Sequence, residues 1–133
     1  MATYNHFYDL PVYKICREFR KKVSTIVNNS IPQKEEYRLK SQILNSSRSI
    51  TANIAEGFGR FHHQENIQFC RQARGSLTET MEHLITAFDE SFIEETLLKE
   101  LNEDYKECLK SLNLYIKYLK ENQNLKINNQ KEW

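Results

Sequence analysis

Apolar residues recur along the chain at alternating spacings of three and four, which is the pattern of an α-helix with one buried face. Four stretches carry this pattern, and short segments rich in Asn, Ser, Gly or Pro separate them. The stretches predict helices over about residues 11–28, 34–56, 62–88 and 92–122, followed by a polar, frayed tail over 123–133. Long amphipathic helices with short connections predict a single all-α domain, residues 1–133, folded as an up-down-up-down antiparallel four-helix bundle.

Each predicted helix has one apolar seam, and mixed spacings of three and four favour left-handed packing at a crossing angle of about +20°. All three cysteines fall on these seams, so we interpret them as small core residues rather than disulfide partners. The seams are Val12, Cys16, Phe19, Val23 and Ile26; Leu39, Ile43, Ser47, Ile50 and Ile54; Ile67, Cys70, Ala73, Leu77, Met81, Leu84 and Phe88; and Leu97, Leu101, Tyr105, Cys108, Leu112, Tyr115 and Leu119.

Local signals predict where the helices begin and end. Pro11 suits the first turn of the first helix. Gly57 is predicted to be the left-handed residue that ends the second helix, because glycine adopts that conformation without a steric penalty. Ser91 and Glu94 have the S-x-x-E spacing of a capping box, which predicts the start of the fourth helix.

The outer faces of the second and third helices carry small residues where Lys and Glu are usual. Gly75 lies inside the third helix, where glycine costs roughly 1 kcal/mol relative to alanine. One interpretation is that a further helix packs closely outside the core; for the alanines, high helix propensity is the alternative. The outer-face positions, several of which are small, are Ser41, Asn45, Arg48, Ala52 and Ala55 on the second helix, and Phe69, Gly75, Ser76 and Thr80 on the third.

The composition is typical of a helical protein without a membrane anchor. It includes only three glycines and two prolines, and the mean hydropathy is −0.72. No apolar run approaches the ~18 residues of a membrane span, and the N-terminus lacks a basic segment followed by an apolar one. We therefore expect a cytoplasmic protein.

Charge is distributed unevenly, although the net charge is only +1. Residues 1–75 contain 12 Lys and Arg against 6 Asp and Glu, whereas residues 76–133 contain 7 against 12. This asymmetry suits an anionic partner such as RNA or DNA, or contacts between subunits; solvated helix faces are the alternative. Basic and aromatic residues are not interleaved as they are in an RNA-binding sheet. The candidate phosphate-binding residues are Lys14, Arg17, Lys21, Lys22, Lys40, Arg48, Arg60 and Arg71.

The sequence contains no recognisable catalytic or metal-binding motif. Adjacent His62 and His63 point about 100° apart on a helix and cannot readily share a metal. The GFGR segment at 57–60 lacks the spacing of a phosphate-binding loop. We therefore expect a protein that is not an enzyme and has no cofactor or metal. A polar group flanks the turn between the second and third helices, and either a binding site or capping and interface contacts explain it. Its members are Asn53, Glu56, Arg60, Arg74 and Glu79.

Three stretches of the chain resemble a known family in order and spacing. They are FYDLPVYKIC at Phe7–Cys16, the run from Pro32 through Glu35, Tyr37, Leu39 and Gln42 to SITANIAEGFGR at Ser49–Arg60, and FCRQARGSLTE at Phe69–Glu79. These stretches resemble the four-helix bundle family of proteins encoded in intervening sequences of bacterial 23S ribosomal RNA genes. The fourth helix matches that family only in its pattern.

The resemblance implies a homopentameric, ring-like assembly of bundles. It also points to a relative of similar fold, the accessory protein of diversity-generating retroelements, which binds nucleic acid and a reverse transcriptase. For most members of the family the biochemical role is unknown, and RNA binding is a proposal from gene location. With the small outer positions included, the motif and assembly residues are Ala52, Asn53, Ala55, Glu56, Gly57, Arg60, Phe69, Arg74, Gly75, Ser76 and Glu79.

Two hypotheses about function result from these patterns. The first is a non-enzymatic homo-oligomer that binds RNA or another nucleic acid through basic surface repeated around the assembly. The second is a protein-interaction scaffold or accessory subunit without direct nucleic-acid binding, in which the charge asymmetry serves contacts between subunits.

Overall fold

The computed structural model describes residues 4–60 and 62–130, with side chains up to residue 122. Consecutive helices are neighbours, and α4 also packs against α1, so α1 and α3 lie on a diagonal. Ser49 contacts Ser76 whereas the earlier Ser46 contacts the later Thr80, so α2 and α3 are antiparallel. The prediction of an all-α four-helix bundle is confirmed. The helices are α1 (Pro11–Ser30), α2 (Leu39–Gly59), α3 (His63–Asp89) and α4 (Glu95–Gln130), with short 3-10 helices at Phe7–Asp9 and Gln33–Glu35.

The core lies between the four helices and follows the predicted seams with small shifts. Val27 is buried where the pattern favoured Ile26, and Ala87 is buried where it favoured Phe88. In α4, Ile116 is buried in the core. The preceding residue Tyr115, which the pattern placed on the seam, is only partly buried. The three cysteines are buried and carry free thiols, which confirms their interpretation as core residues.

The second helix begins five residues later than predicted. After Pro32 the chain forms the 3-10 turn Gln33–Glu35, and Arg38 has φ −123° and ψ −109°, which lie outside the helical region. The Leu39 N–H donates a hydrogen bond to Glu35 Oε2 at 3.3 Å. Glu35 therefore lies before the helix and reaches its first turn, so the predicted start at residue 34 is wrong.

Gly57 does not end α2, and the prediction that it is a left-handed terminal residue is wrong. None of the glycines that the structure describes has a positive φ, and α2 continues to Gly59. Gly57 is instead buried at the contact between α2 and α3. The glycine is needed for close approach of two helices rather than for a turn.

The predicted capping box at Ser91 is also wrong, because Ser91 belongs to the end of α3. Its φ is +66°, its N–H donates to the Phe88 carbonyl at 2.9 Å, and the Phe92 N–H donates to the Ala87 carbonyl at 2.8 Å. These two bonds form a Schellman motif with serine in the usual glycine position. Helix α4 consequently begins at Glu95 rather than near residue 92.

Helix α4 is longer than predicted. It continues without interruption to Gln130 instead of ending at 122. The predicted tail over 123–133 is therefore helical as far as Gln130, and residues 131–133 lie outside the described part of the chain.

Candidate nucleic-acid interface

The eight candidate phosphate-binding residues do not form one continuous surface. Lys14, Arg17 and Lys21 are exposed on α1, and Arg48 is exposed on the neighbouring α2. Arg71 is exposed on α3, which is diagonal to α1. Lys21 and Arg48 meet at the α1–α2 contact and line one cleft, whereas Lys14, Lys21 and Lys22 line a cavity beside α4 together with acidic residues.

Lys22 faces α4 and is neutralised by two carboxylates. Its Nζ lies 2.6 Å from Glu100 Oε1 and 2.7 Å from Asp104 Oδ2. Hydrogen bonds from Lys22 to Asp104 and then to Glu100 raise the pKa of the lysine above its usual range. Both acidic partners lie on α4, so Lys22 connects α1 to α4. Since these carboxylates offset its charge, Lys22 does not belong to a free basic surface.

Other candidate cations are paired with nearby acids on their own helices or turns. Lys40 Nζ lies 3.0 Å from Glu36 Oε2. Arg17 and Lys21 share one carboxylate, that of Glu18, at the longer distances of 3.8 and 3.6 Å. Exposed pairs of this kind contribute little to stability and are readily exchanged for a phosphate. Arg17 and Lys21 thus stay available to a ligand.

A cleft between α1 and α2 is lined by three cations. It encloses about 350 Å³, and no carboxylate is among the described residues that line it. Guanidinium and ammonium groups bind phosphate oxygens through charge-assisted hydrogen bonds, and hydroxyl groups add further donors. The lining residues of this α1–α2 cleft are Arg20, Lys21, Ser24, Thr25, Leu44, Ser47 and Arg48.

Arg20 is a cleft residue that sequence reasoning missed. It lies beside the apolar seam of α1, directly after Phe19, and the seam pattern alone gave it no role. In the structure its Nη1 donates to Thr51 Oγ1 at 2.7 Å, so the side chain is held across the α1–α2 contact. Helical spacing is the sequence feature that could have identified Arg20, because Arg17, Arg20 and Ser24 recur at intervals of three and four on one face.

Part of the predicted polar group forms a hydroxyl and amide network between α2 and α3. Asn53 Nδ2 donates to the carbonyl and to the hydroxyl of Ser49, both at 2.9 Å. The Ser49 and Ser76 hydroxyls are 2.8 Å apart, and those of Ser46 and Thr80 are also 2.8 Å apart. Ser76 and Thr80 therefore face α2 inside the bundle, and their predicted place on an outer face is wrong.

Arg60 belongs to a separate cluster at the turn between α2 and α3. Its guanidinium lies 2.9 Å from Glu56 Oε1 and 3.8 Å from Glu65 Oε2, and it stacks over the Phe69 ring at 4.9 Å from the centroid. Two acids offset its charge. Arg60 accordingly orders the turn, and Phe69 is covered on one face by Arg60 rather than left open as apolar surface.

The remaining motif residues are divided between other surfaces. Arg74 Nη1 donates to Asn113 Oδ1 on α4 at 2.8 Å, and Glu79 lies 3.4 Å from His83 Nε2. Ala52 and Gly75 are exposed, on α2 and α3 respectively. The motif residues thus stabilise helix contacts at several places and are not gathered in one site.

The described residues show neither a metal centre nor a membrane-spanning helix. Within the described residues, no group of three or more His, Cys, Asp or Glu side chains has the arrangement needed to hold a metal ion. Among the helices described, none is long and apolar enough to cross a bilayer.

Comparison with known proteins identifies the family. The comparison with curated proteins found no match. Among solved structures, the chain is similar to a crystal structure of a protein of unknown function from the S23 ribosomal protein family of Bacteroides thetaiotaomicron VPI-5482, with 25% identity, a TM-score of 0.73, and coverage of 80% of this chain and 95% of the other. The family described as 23S rRNA-intervening sequence protein matches residues 8–114, which is well over half of the chain. The chain therefore belongs to the 23S rRNA-intervening sequence protein family.

Proposed function

We propose that this protein is a non-enzymatic, cytoplasmic homo-oligomer that binds RNA or another nucleic acid through its basic surface. The α1–α2 cleft carries the proposal, because Arg20, Lys21 and Arg48 line it together with three hydroxyl-bearing residues and no described carboxylate. Backbone phosphates need several cations on one continuous surface, and the three cations of this cleft support a role of that kind. The family name, which refers to intervening sequences of 23S rRNA genes, is consistent with an RNA ligand.

Assembly into an oligomer increases the affinity for nucleic acid that a small cleft provides. A net charge of +1 gives a single subunit little long-range attraction for nucleic acid. Several copies of the cleft on one particle engage one strand at several points, which increases the apparent affinity without any new contact. We propose the ring-like homopentamer implied by the family resemblance as that particle.

Two outward-facing small residues support an assembly interface. A Cβ built on Gly75 has no described atom within 4 Å, and Ala52 is exposed on α2. Glycine at an exposed position inside a helix costs stability and brings no benefit within one subunit. A helix of another subunit packed against this surface gives such residues a role, because small side chains let two backbones approach closely.

A protein-interaction scaffold is the second candidate, and a different surface favours it. An apolar groove of about 300 Å³ lies between the N-terminal segment and α4, and residues such as Leu10, Pro11 and Tyr118 line it. Leu114 at its edge is 58% exposed. Exposed apolar surface of this kind suits a protein partner.

A salt-dependent binding titration separates the two candidates. Fluorescence anisotropy of a labelled RNA is measured with the whole protein from low to high salt, and light scattering reports the oligomeric state in the same buffers. The first candidate predicts binding that weakens steeply with salt, since bound cations release counterions from the phosphates. An intact oligomer that binds no RNA or DNA at low salt leaves the scaffold function, and a monomer at micromolar concentration contradicts the assembly.

A further inference from the structure

An aromatic cluster at the N-terminal end of the bundle faces solvent. The rings of His6 and Tyr8 are stacked, with centroids 4.9 Å apart and planes inclined by 4°. The Phe7 ring packs edge-on against Tyr8 at 5.3 Å and against Tyr13 at 5.0 Å. His6 is exposed, and Tyr8 keeps 51% of its accessible surface. The cluster therefore presents ordered, flat aromatic surface on which a planar ligand can stack.

Helical spacing places this cluster at one end of the α1–α2 cleft. Tyr13, Arg20 and Ser24 are separated by seven and four residues, so they share one face of α1. The bond from Arg20 to Thr51 shows that this face is directed to α2. The short helix Phe7–Asp9, which carries two rings of the cluster, contacts both α1 and α2. The aromatic cluster therefore precedes the cleft along the same face of α1, although the sequence shows no interleaving of the two residue types.

The separation of the two surfaces suits a flexible strand. A rise of 1.5 Å per residue puts Tyr13 and Arg20 roughly 10 Å apart along α1. This distance is about three times the ~3.4 Å rise per nucleotide of a duplex strand, so a short piece of nucleic acid spans it. Paired bases in a duplex are already stacked on one another and cannot stack on His6 or Tyr8. The bases of a single strand are free to do so.

We propose that the α1–α2 cleft and the aromatic cluster together bind single-stranded nucleic acid, with phosphates in the cleft and one or two bases stacked on the His6–Tyr8 pair. The inference rests on the proposed nucleic-acid binding and narrows it to single strands. Arg20, Lys21 and Arg48 hold the backbone without reading sequence, and the aromatic rings accept any base because every base has a flat face. Single strands are accordingly bound with little sequence preference and more tightly than duplexes.

Two exposed tyrosines provide a matched test. Tyr8 belongs to the cluster, whereas Tyr37, which is 94% exposed, lies in the α1–α2 connection at the opposite end of the bundle. Anisotropy titrations with the whole protein use a labelled single-stranded RNA and the same RNA annealed to its complement. Tyr8→Ala is expected to weaken single-strand binding at least about fivefold, as loss of one base–aromatic stack does. Duplex binding is expected to stay unchanged, and Tyr37→Ala is expected to change neither.

The Tyr8→Phe variant and the titration with duplex RNA distinguish the possible results. Tyr8→Phe retains the ring and is expected to bind the single strand like the wild type, and circular dichroism verifies that each variant is helical. If the wild type binds duplex as tightly as single strand, or if Tyr8→Ala binds single strand normally, the single-strand inference is overturned while nucleic-acid binding stands. If the wild type binds neither RNA, the proposed function fails as well.

Discussion

Gly57 of α2 and Asn66 of α3 approach so closely that a side chain on the glycine has no room. A Cβ built on Gly57 lies 2.6 Å from Asn66 Oδ1, 3.1 Å from the Asn66 carbonyl oxygen and 2.9 Å from Phe69 Cβ. Asn66 cannot simply turn away, because its Nδ2 donates to the Tyr115 hydroxyl at 3.1 Å. One contact thus connects α2, α3 and α4 near the turn between α2 and α3.

Gly57→Ala is expected to destabilise the fold by roughly 1–3 kcal/mol, the usual cost of forcing a methyl group into a packed contact. Gly59→Ala is the matched control, since it adds the same methyl group to the exposed last residue of α2, where a built Cβ has no described atom within 4 Å. Its expected effect is a change of no more than about 1 kcal/mol, from the difference in helix propensity. Urea denaturation measures both changes, and equal effects of the two variants would contradict the close contact at Gly57.

Ser91→Gly is expected to stabilise the protein, because Ser91 occupies a left-handed conformation with φ +66°. An L-residue pays roughly 1 kcal/mol for this conformation, whereas glycine does not. Thermal unfolding of Ser91→Gly should show a higher midpoint than the wild type. Ser91→Ala retains the Cβ and should bring no such gain. A Ser91→Gly variant that is no more stable than Ser91→Ala is the result that contradicts the Schellman assignment.

The fold was predictable from the sequence because each helix contributes many residues to a repeating pattern, and no single position decides it. The helix ends depended on individual residues whose geometry the pattern does not contain. Gly57 suited both a left-handed helix end and a close helix contact, and only the position of α3 distinguishes the two. Ser91 had the spacing of a capping box, but the hydrogen bonds of Phe92 and Ser91 to the preceding helix determine its conformation.

The candidate site was less predictable, because charge alone does not show which partner a side chain meets. Lys22 and Lys21 are adjacent in sequence, yet Lys22 binds Glu100 and Asp104 on α4 while Lys21 lines the cleft. Those acids are some 80 residues away in the chain. Arg20 was not among the predicted cations. Its place in the cleft depends on its hydrogen bond to Thr51 across the α1–α2 contact, which the charge pattern does not contain.

The buried phenol of Tyr115 makes the free energy of unfolding fall at alkaline pH. Burial, partly offset by the hydrogen bond from Asn66, raises the pKa of its phenol to about 12 from the usual 10. The unfolded chain therefore loses this proton first, so the stabilisation is complete below pH 10 and is lost as the pH rises from 10 through 12. In urea denaturation at several pH values, Tyr115→Phe should lose less stability across this window, by on the order of 1 kcal/mol. A Tyr115→Phe curve parallel to the wild type would contradict the assignment.

The most direct test of the central claim compares two exposed arginines on different faces of the bundle. Arg48 lines the α1–α2 cleft, whereas Arg71 is exposed on α3, diagonal to α1. Each is replaced by alanine, so the change in net charge is the same, and affinity for a labelled single-stranded RNA is measured by anisotropy over a range of salt concentrations. We expect Arg48→Ala to weaken binding about tenfold and to reduce the salt slope by roughly one, while Arg71→Ala stays close to the wild type. Equal losses in the two variants, or no loss in Arg48→Ala, would show that the cleft is not the nucleic-acid site.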